Sequence, residues 1–210
     1  MKKTVVIVDY GLGNILSAKQ SFLKVISDYK IDAKVKITNN PKDIENSTHI
    51  VLPGQGAFKT CMQNLSNISG MISTLEEMIF KNKKNFLGIC IGMQLLAERS
   101  YENGEHNGLG WIKGEIKKIP SNNLKLPHMS WNEVKIIKKN PLIEEKEKND
   151  YYFVHSYYFD CFDSNNIIGT SNYGLEFASY VCKENIYGVQ FHPEKSSKQG
   201  LKLIRNFLLQ

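Results

Sequence analysis

Four short apolar runs, Thr4–Val8, Ala33–Ile37, His49–Leu52 and Asn85–Ile89, constrain this chain more than any other feature. Runs of this kind suit strands buried on both faces, which belong to parallel sheets covered by helices. Between them the apolar spacing changes. Asn14 can cap a helix in which Ile15, Ala18, Phe22 and Val25 recur at helical intervals. Pro41 stands at the first position of a short helix, Met71–Lys81 reads as helical, and Ile91–Arg99 reads as a helix directly behind the fourth strand. Strand and helix alternating in this way predict a parallel sheet with helices on both faces.

The second half has a different grain. Trp111–Ile119, Asn132–Ile137, Tyr151–Phe159, Phe177–Lys183 and Ile186–Phe191 read as strands joined by short polar turns, an antiparallel extension flanking the parallel core. Ser197–Leu209 closes the chain as an amphipathic helix with Leu201, Ile204 and Leu208 on one face. No repeat or low-complexity linker interrupts the pattern, so residues 1–210 are expected to form one domain. The fold class is therefore α/β, a three-layer sandwich with a mostly parallel central sheet and an antiparallel extension.

Composition excludes several function classes. With 210 residues and 41% of them hydrophobic, the chain can bury about 70% of the surface its unfolded form exposes, which argues against disorder. The longest nearly apolar stretch, Phe86–Ala97, falls short of the roughly 20 residues of a spanning helix, so no membrane partner is expected. The apolar start after Lys2-Lys3 stops at Asp9, too short for a signal peptide, which makes the cytoplasm the expected location. Cys61, Cys90, Cys161 and Cys182 are far apart and form no C-x-x-C pair, so neither a metal nor another cofactor is expected. The formal charge is +6, but the lysines interleave with acids, as in Glu144-Glu145-Lys146-Glu147-Lys148, and no Arg cluster occurs. A solvated surface explains this better than a nucleic-acid partner.

Chemistry concentrates in three segments. Gly88-Ile89-Cys90-Ile91-Gly92 has the form G-x-C-x-G, the thiol counterpart of a nucleophile elbow, with an apolar strand before it and a helix-forming run after it. Cys90 would then sit at a helix N-terminus that favours thiolate, and the Ile91 amide would face an oxyanion. Taken alone, the pentapeptide is equally compatible with a buried cysteine in a Gly-containing turn. Near the C-terminus stands Gly188-Val-Gln-Phe-His192-Pro-Glu194. Residues two apart on an extended chain share a face, so Glu194 can hold one imidazole nitrogen of His192 and leave the other for a thiol. In Pro53-Gly54-Gln55-Gly56-Ala57-Phe58, glycines on both sides of Gln55 let backbone amides turn toward developing negative charge.

Gly88-Ile-Cys-Ile-Gly-Met-Gln94 with His192-Pro-Glu194 resembles the class I (triad) glutamine amidotransferases. Asp9–Asn14, Pro53–Ala57, Pro127–Asn132 and Tyr152–Tyr157 narrow the resemblance to the glutaminase subunits of imidazole glycerol phosphate synthase, from histidine biosynthesis. The resemblance implies a Cys90–His192–Glu194 triad that hydrolyses L-glutamine, with oxyanion donors from the backbone of Ile91, Gly54, Gln55 and Gly56. It implies that Gln94, Glu102, Ser156 and Tyr157 hold the substrate, Glu102 being suited to its α-ammonium group. It also implies a (β/α)8-barrel cyclase partner that receives the ammonia, docked through Tyr10, Asn14, Trp131, Tyr152 and Lys195. His155 reads as a structural hydrogen-bonder. Two positions depart from the family pattern: Gln55 replaces a small branched residue and Ser130 replaces Gly. Related glutaminases that supply ammonia for amination of sugars or surface-glycan precursors are the alternative. For the isolated subunit, the Gln55 amide is expected to point away from Cys90.

Overall fold

Residues Val5 to Val8 have no solvent exposure, because the strand they belong to, β1 (Lys3–Val8), lies inside the sheet with neighbours on both edges. The structure, a computed structural model, describes residues 2–120, 124–143 and 149–210; the Glu144–Lys148 charge run lies outside the described residues. From β1 the chain continues through α1 (Ile15–Asp28), β2 (Ala33–Thr38), α2 (Pro41–Glu45), β3 (His49–Gly54), α3 (Phe58–Asn67), α4 (Met71–Glu76), β4 (Asn85–Cys90) and α5 (Ile91–Gln94). Short strands β5 (Arg99–Ser100) and β6 (His106–Asn107) precede β7 (Gly114–Lys118), β8 (His128–Glu133) and β9 (Lys135–Ile136). The rest comprises β10 (Asp150–His155), β11 (Tyr157–Cys161), β12 (Ile167–Asn172), β13 (Glu176–Lys183), β14 (Ile186–Val189) and α6 (Ser197–Leu208).

The main sheet runs β2-β1-β3-β4-β14-β13-β11-β7-β5-β6, with β12 beside β13 and β9. Strands β2, β1, β3, β4 and β14 are parallel, whereas β14–β13, β13–β11 and β11–β7 pair antiparallel. A separate antiparallel ribbon joins β8 to β10. On one face of the sheet, Phe207 of α6 meets His49, Tyr187 and Phe22 of α1 edge-on. On the other face, Phe86 packs edge-on against Trp111, which in turn meets Phe80. Side chains alternate along each strand, so both faces are covered and three layers result. Among the described residues, no helix is long and apolar enough to cross a membrane.

Several elements differ from the sequence expectations. The helix behind β4 ends at Gln94, not Arg99, because the carbonyls of Leu95, Leu96 and Ala97 accept hydrogen bonds from the amides of Leu109, Ile112 and Gly110. Arg99 and Ser100 are then free to pair with β7. Strand β14 is the fifth parallel strand, antiparallel only on its β13 edge. The Tyr151–Phe159 run breaks at Ser156, its first part joining β8 and its second β7. The 111–119 strand begins only at Gly114, and 132–137 spans the end of β8 and all of β9. Helical character over 71–81 is kept, but α4 passes into a π-helical turn at Glu77–Lys81. Strand β12, rich in Gly, Thr, Ser and Asn, carries too little apolar pattern to be read from sequence. Asn14 does precede α1, yet its side chain makes no capping hydrogen bond.

Candidate active site

The C-terminal ends of β3, β4 and β14 meet at one edge of the parallel block, the usual location of sites in open α/β sheets. Gly54 stands in register with Cys90, and Ile89 with Val189. Cys90 has φ 55° and ψ −110°, a backbone state that costs a non-glycine residue about 1–3 kcal/mol and persists only where the surroundings impose it. The imposing contact is close at hand. A Cβ on Gly92 would lie 1.8 Å from the Leu52 carbonyl oxygen, so the turn after Cys90 presses directly on β3. Because α5 is a single turn, its dipole contributes little beside the sulfur. The positive charge there is His192.

His192 and Glu194 come together by a different route from the extended chain expected. Strand β14 ends at Val189, and Pro193–Lys195 forms a 3₁₀ turn that folds Glu194 back on His192. The Glu194 Oε1 lies 2.8 Å from His192 Nδ1, with both side chains nearly inaccessible. The His192 N–H donates to the Tyr152 carbonyl, and its own carbonyl accepts from the Ser196 hydroxyl. These bonds leave His192 Nε2 as a buried atom without a hydrogen-bond partner, available to a thiol or to a leaving group. Burial opposes the imidazolium, but the Cys90 sulfur and the Glu194 carboxylate outweigh it and push the His192 pKa up to about 10. Cys61, Cys161 and Cys182 are each pushed up to about 11 by burial, which keeps them as thiols.

A cavity of about 420 Å³ opens over Cys90 and His192. Gln94, Glu102, Ser156 and Tyr157, the residues expected to hold substrate, all line it, as do Ile91, Gln55 and Gly56. Gly54 is buried behind them. The Gln94 amide nitrogen donates to the Tyr157 carbonyl (3.1 Å) and to Gln190 Oε1 (3.0 Å), which leaves Gln94 Oε1 a buried acceptor without a donor. Glu102 accepts from the Phe58 N–H through Oε2 at 2.6 Å. Gln190 is the residue that sequence reasoning missed. It is fully buried, and its amide nitrogen lies 3.8 Å from Cys90 Sγ. Its position two residues before His192, on the same face of an extended chain, was the signal available.

The docking residues divide. Trp131 is 52% exposed and meets Tyr152 edge-on, while Tyr152 and the exposed Lys195 line the mouth of the cavity. Asn14 is half-buried just before α1. Tyr10 departs from the expectation: it is 4% exposed, and its hydroxyl turns inward to donate to the Pro53 carbonyl at 2.7 Å. Its side chain serves the segment containing Gly54 rather than an exposed face. Beside Tyr10, the Cys61 thiol donates to the Gln55 carbonyl of the same segment at 3.4 Å.

Comparison with known proteins agrees with this geometry. The family "Glutamine amidotransferase class-I" matches residues 6–210. The imidazole glycerol phosphate synthase subunit HisH of Pelagibacter ubique is 47% identical over 207 residues, covering 97% of this chain and 98% of that protein. The HisH 2 subunit of Methanococcus maripaludis is 46% identical over 208 residues, covering 98% and 99%. A crystal structure of a glutamine amidotransferase superposes with a TM-score of 0.73 at 16% identity, covering 97% of each chain, a likeness of fold alone. An unbroken match of this extent over the elbow, the cavity and the His192 turn places the chain in the class I glutamine amidotransferase family, among its HisH subunits.

Proposed function

We propose that Cys90, His192 and Glu194 hydrolyse the side-chain amide of L-glutamine within a single domain spanning residues 1–210. The observation that carries this is the unpartnered, buried Nε2 of a His192 held by Glu194 and paired electrostatically with the elbow cysteine. The Cys90 thiolate attacks the amide carbon, and backbone amides of Ile91 and of the Gly54–Gly56 segment receive the oxyanion. Protonated His192 gives its Nε2 proton to the departing ammonia, and a thioester forms on Cys90. Water, deprotonated by the now neutral His192, cleaves the thioester and releases glutamate. Glu102 and the unpaired Gln94 Oε1 suit the α-ammonium group, the cationic donor of glutamine.

The chain is the glutaminase subunit of imidazole glycerol phosphate synthase, in histidine biosynthesis. Its partner is a (β/α)8-barrel cyclase, which docks on the face carrying Trp131, Tyr152, Lys195 and Asn14 and takes up the ammonia. The exposed Trp131, set edge-on against the half-buried Tyr152 beside the cavity mouth, supports that placement.

Glutamine hydrolysis is coupled to the partner through Gly54-Gln55-Gly56. The carbonyls of Pro53 and Gln55 are tethered by Tyr10 and Cys61, so the Gly54–Gln55 peptide between the tethers can pivot on its own, Gly54 having no Cβ to restrict the rotation. With the Gln55 amide turned from Cys90, one oxyanion donor is missing, which costs about 10²–10³ in rate. Glutamate release should therefore rise by about that factor from the subunit alone to the complex with bound acceptor. Measuring the subunit, the complex, and the complex with acceptor checks this. Equal rates in all three would end the coupling idea, and no glutamate release in any of them would end the glutaminase reading itself.

A further inference from the structure

Apart from His49, two buried histidines stand outside the triad, His128 and His155, and their hydrogen bonds run in one direction. His155 Nδ1 lies 2.8 Å from the Tyr157 carbonyl oxygen, which can only accept, so Nδ1 carries the hydrogen. At the far end, the Asn132 side-chain oxygen accepts from the Glu133 N–H (2.8 Å), and its nitrogen donates to the Asn172 carbonyl (2.9 Å). That fixes the orientation of the Asn132 amide and presents its nitrogen, 3.4 Å away, to His128 Nε2, which must then be bare. Between the two anchors, His128 Nδ1 and His155 Nε2 are 3.0 Å apart. One proton assignment satisfies every contact: Asn132 to His128 Nε2, His128 Nδ1–H to His155 Nε2, and His155 Nδ1–H to Tyr157 O. Burial supports it, lowering the pKa of His128 to about 4 and of His155 to about 3. The rings are also held mechanically, His128 being stacked between Phe153 and Tyr173.

The receiving carbonyl belongs to the substrate site. Tyr157 O accepts from His155 and from Gln94, and the second Gln94 hydrogen goes to Gln190, so the Gln94 oxygen is left as a buried acceptor without a donor, on a residue that lines the cavity. Strand β8, where the chain of bonds begins, is also the strand that carries the exposed Met129 and Trp131. We propose that His128 and His155 are positioning residues for glutamine, a one-directional relay that runs from β8 to the Tyr157 carbonyl and fixes the Gln94 acceptor. The proposal rests on the glutaminase reading above. It assigns neither histidine a part in proton transfer to the substrate.

The test uses the assembled complex. His155→Phe keeps the ring and loses both nitrogens, and should raise KM for glutamine about tenfold with kcat held within about threefold, the effect of one misplaced substrate hydrogen bond. His155→Asn, whose amide N–H takes the place of Nδ1–H, should bring KM back to within about threefold of the parent. A merely structural role would not separate KM from kcat, nor be rescued by Asn. An unchanged KM in His155→Phe, or an Asn variant as impaired as Phe, overturns the proposal. Should the variants fail to fold, nitrogen-15 spectra of the histidine-labelled parent at pH 7 decide instead. Both rings should carry hydrogen on Nδ1, and an Nε2–H tautomer or a cationic ring at either position overturns the assignment. Parent complex that releases no glutamate would instead refute the underlying activity.

Discussion

Cys90→Ala, assembled with its partner, is expected to lose glutamine-dependent turnover by about 10⁴–10⁶-fold, the scale set by removal of a triad nucleophile. Synthesis by the partner should return when ammonia is supplied directly, since the partner needs only the nitrogen. The expectation rests on the elbow geometry, where the Cys90 backbone is held in a strained state with His192 as its charged neighbour. It extends to labelling. An electrophilic glutamine analogue should modify Cys90 alone, because Cys61, Cys161 and Cys182 are held as thiols by burial and none lines the cavity. Mass spectrometry after labelling, with turnover measured on glutamine and on ammonia, checks both halves. Equal labelling of another cysteine, or full glutamine activity in Cys90→Ala, would remove the nucleophile from the mechanism.

His192→Ala should be nearly as damaging, whereas Glu194→Gln should retain roughly one to two orders of magnitude more activity than His192→Ala. Glu194 orients and stabilises the imidazolium but does not itself exchange the proton. The pH dependence follows with a definite sign. The folded pKa of His192 is raised to about 10 from the ordinary 6.5. The stability contributed by its protonated form is therefore fully present below about 6.5 and is lost as pH rises through about 10. Turnover should hold up to about pH 9 and then fall, since neutral imidazole cannot protonate the departing ammonia. In Glu194→Gln the carboxylate no longer supports the imidazolium, so the alkaline limb should move to lower pH. Profiles of kcat/KM for the three proteins provide the check. A Glu194→Gln profile with an unmoved limb, or activity below that of His192→Ala, would contradict the roles assigned.

Local rules carried the sequence reading a long way. The alternation of apolar runs with helical spacing determined the parallel block, because strands buried on both faces admit little else. The elbow at Cys90 was legible from G-x-C-x-G set between an apolar strand and a helix-forming run, whereas the close approach of Gly92 to the Leu52 carbonyl of β3 was not. The His192–Glu194 partnership was also legible, although a 3₁₀ turn and not an extended strand creates it. What the sequence could not determine is which distant segments come to share a buried polar group. The Gln94–Gln190 bond joins residues 96 apart, and the His128–His155 bond joins two strands of a ribbon outside the main sheet. The early end of α5 has the same origin, the carbonyls of Leu95, Leu96 and Ala97 just after it being taken by the amides of Leu109, Ile112 and Gly110. Tyr10 turned inward because the Pro53 carbonyl was there to accept its hydroxyl. Periodicity and backbone sterics are properties of a short stretch of chain, whereas a buried donor must find its acceptor wherever the strand order has placed one, and only the tertiary structure decides that.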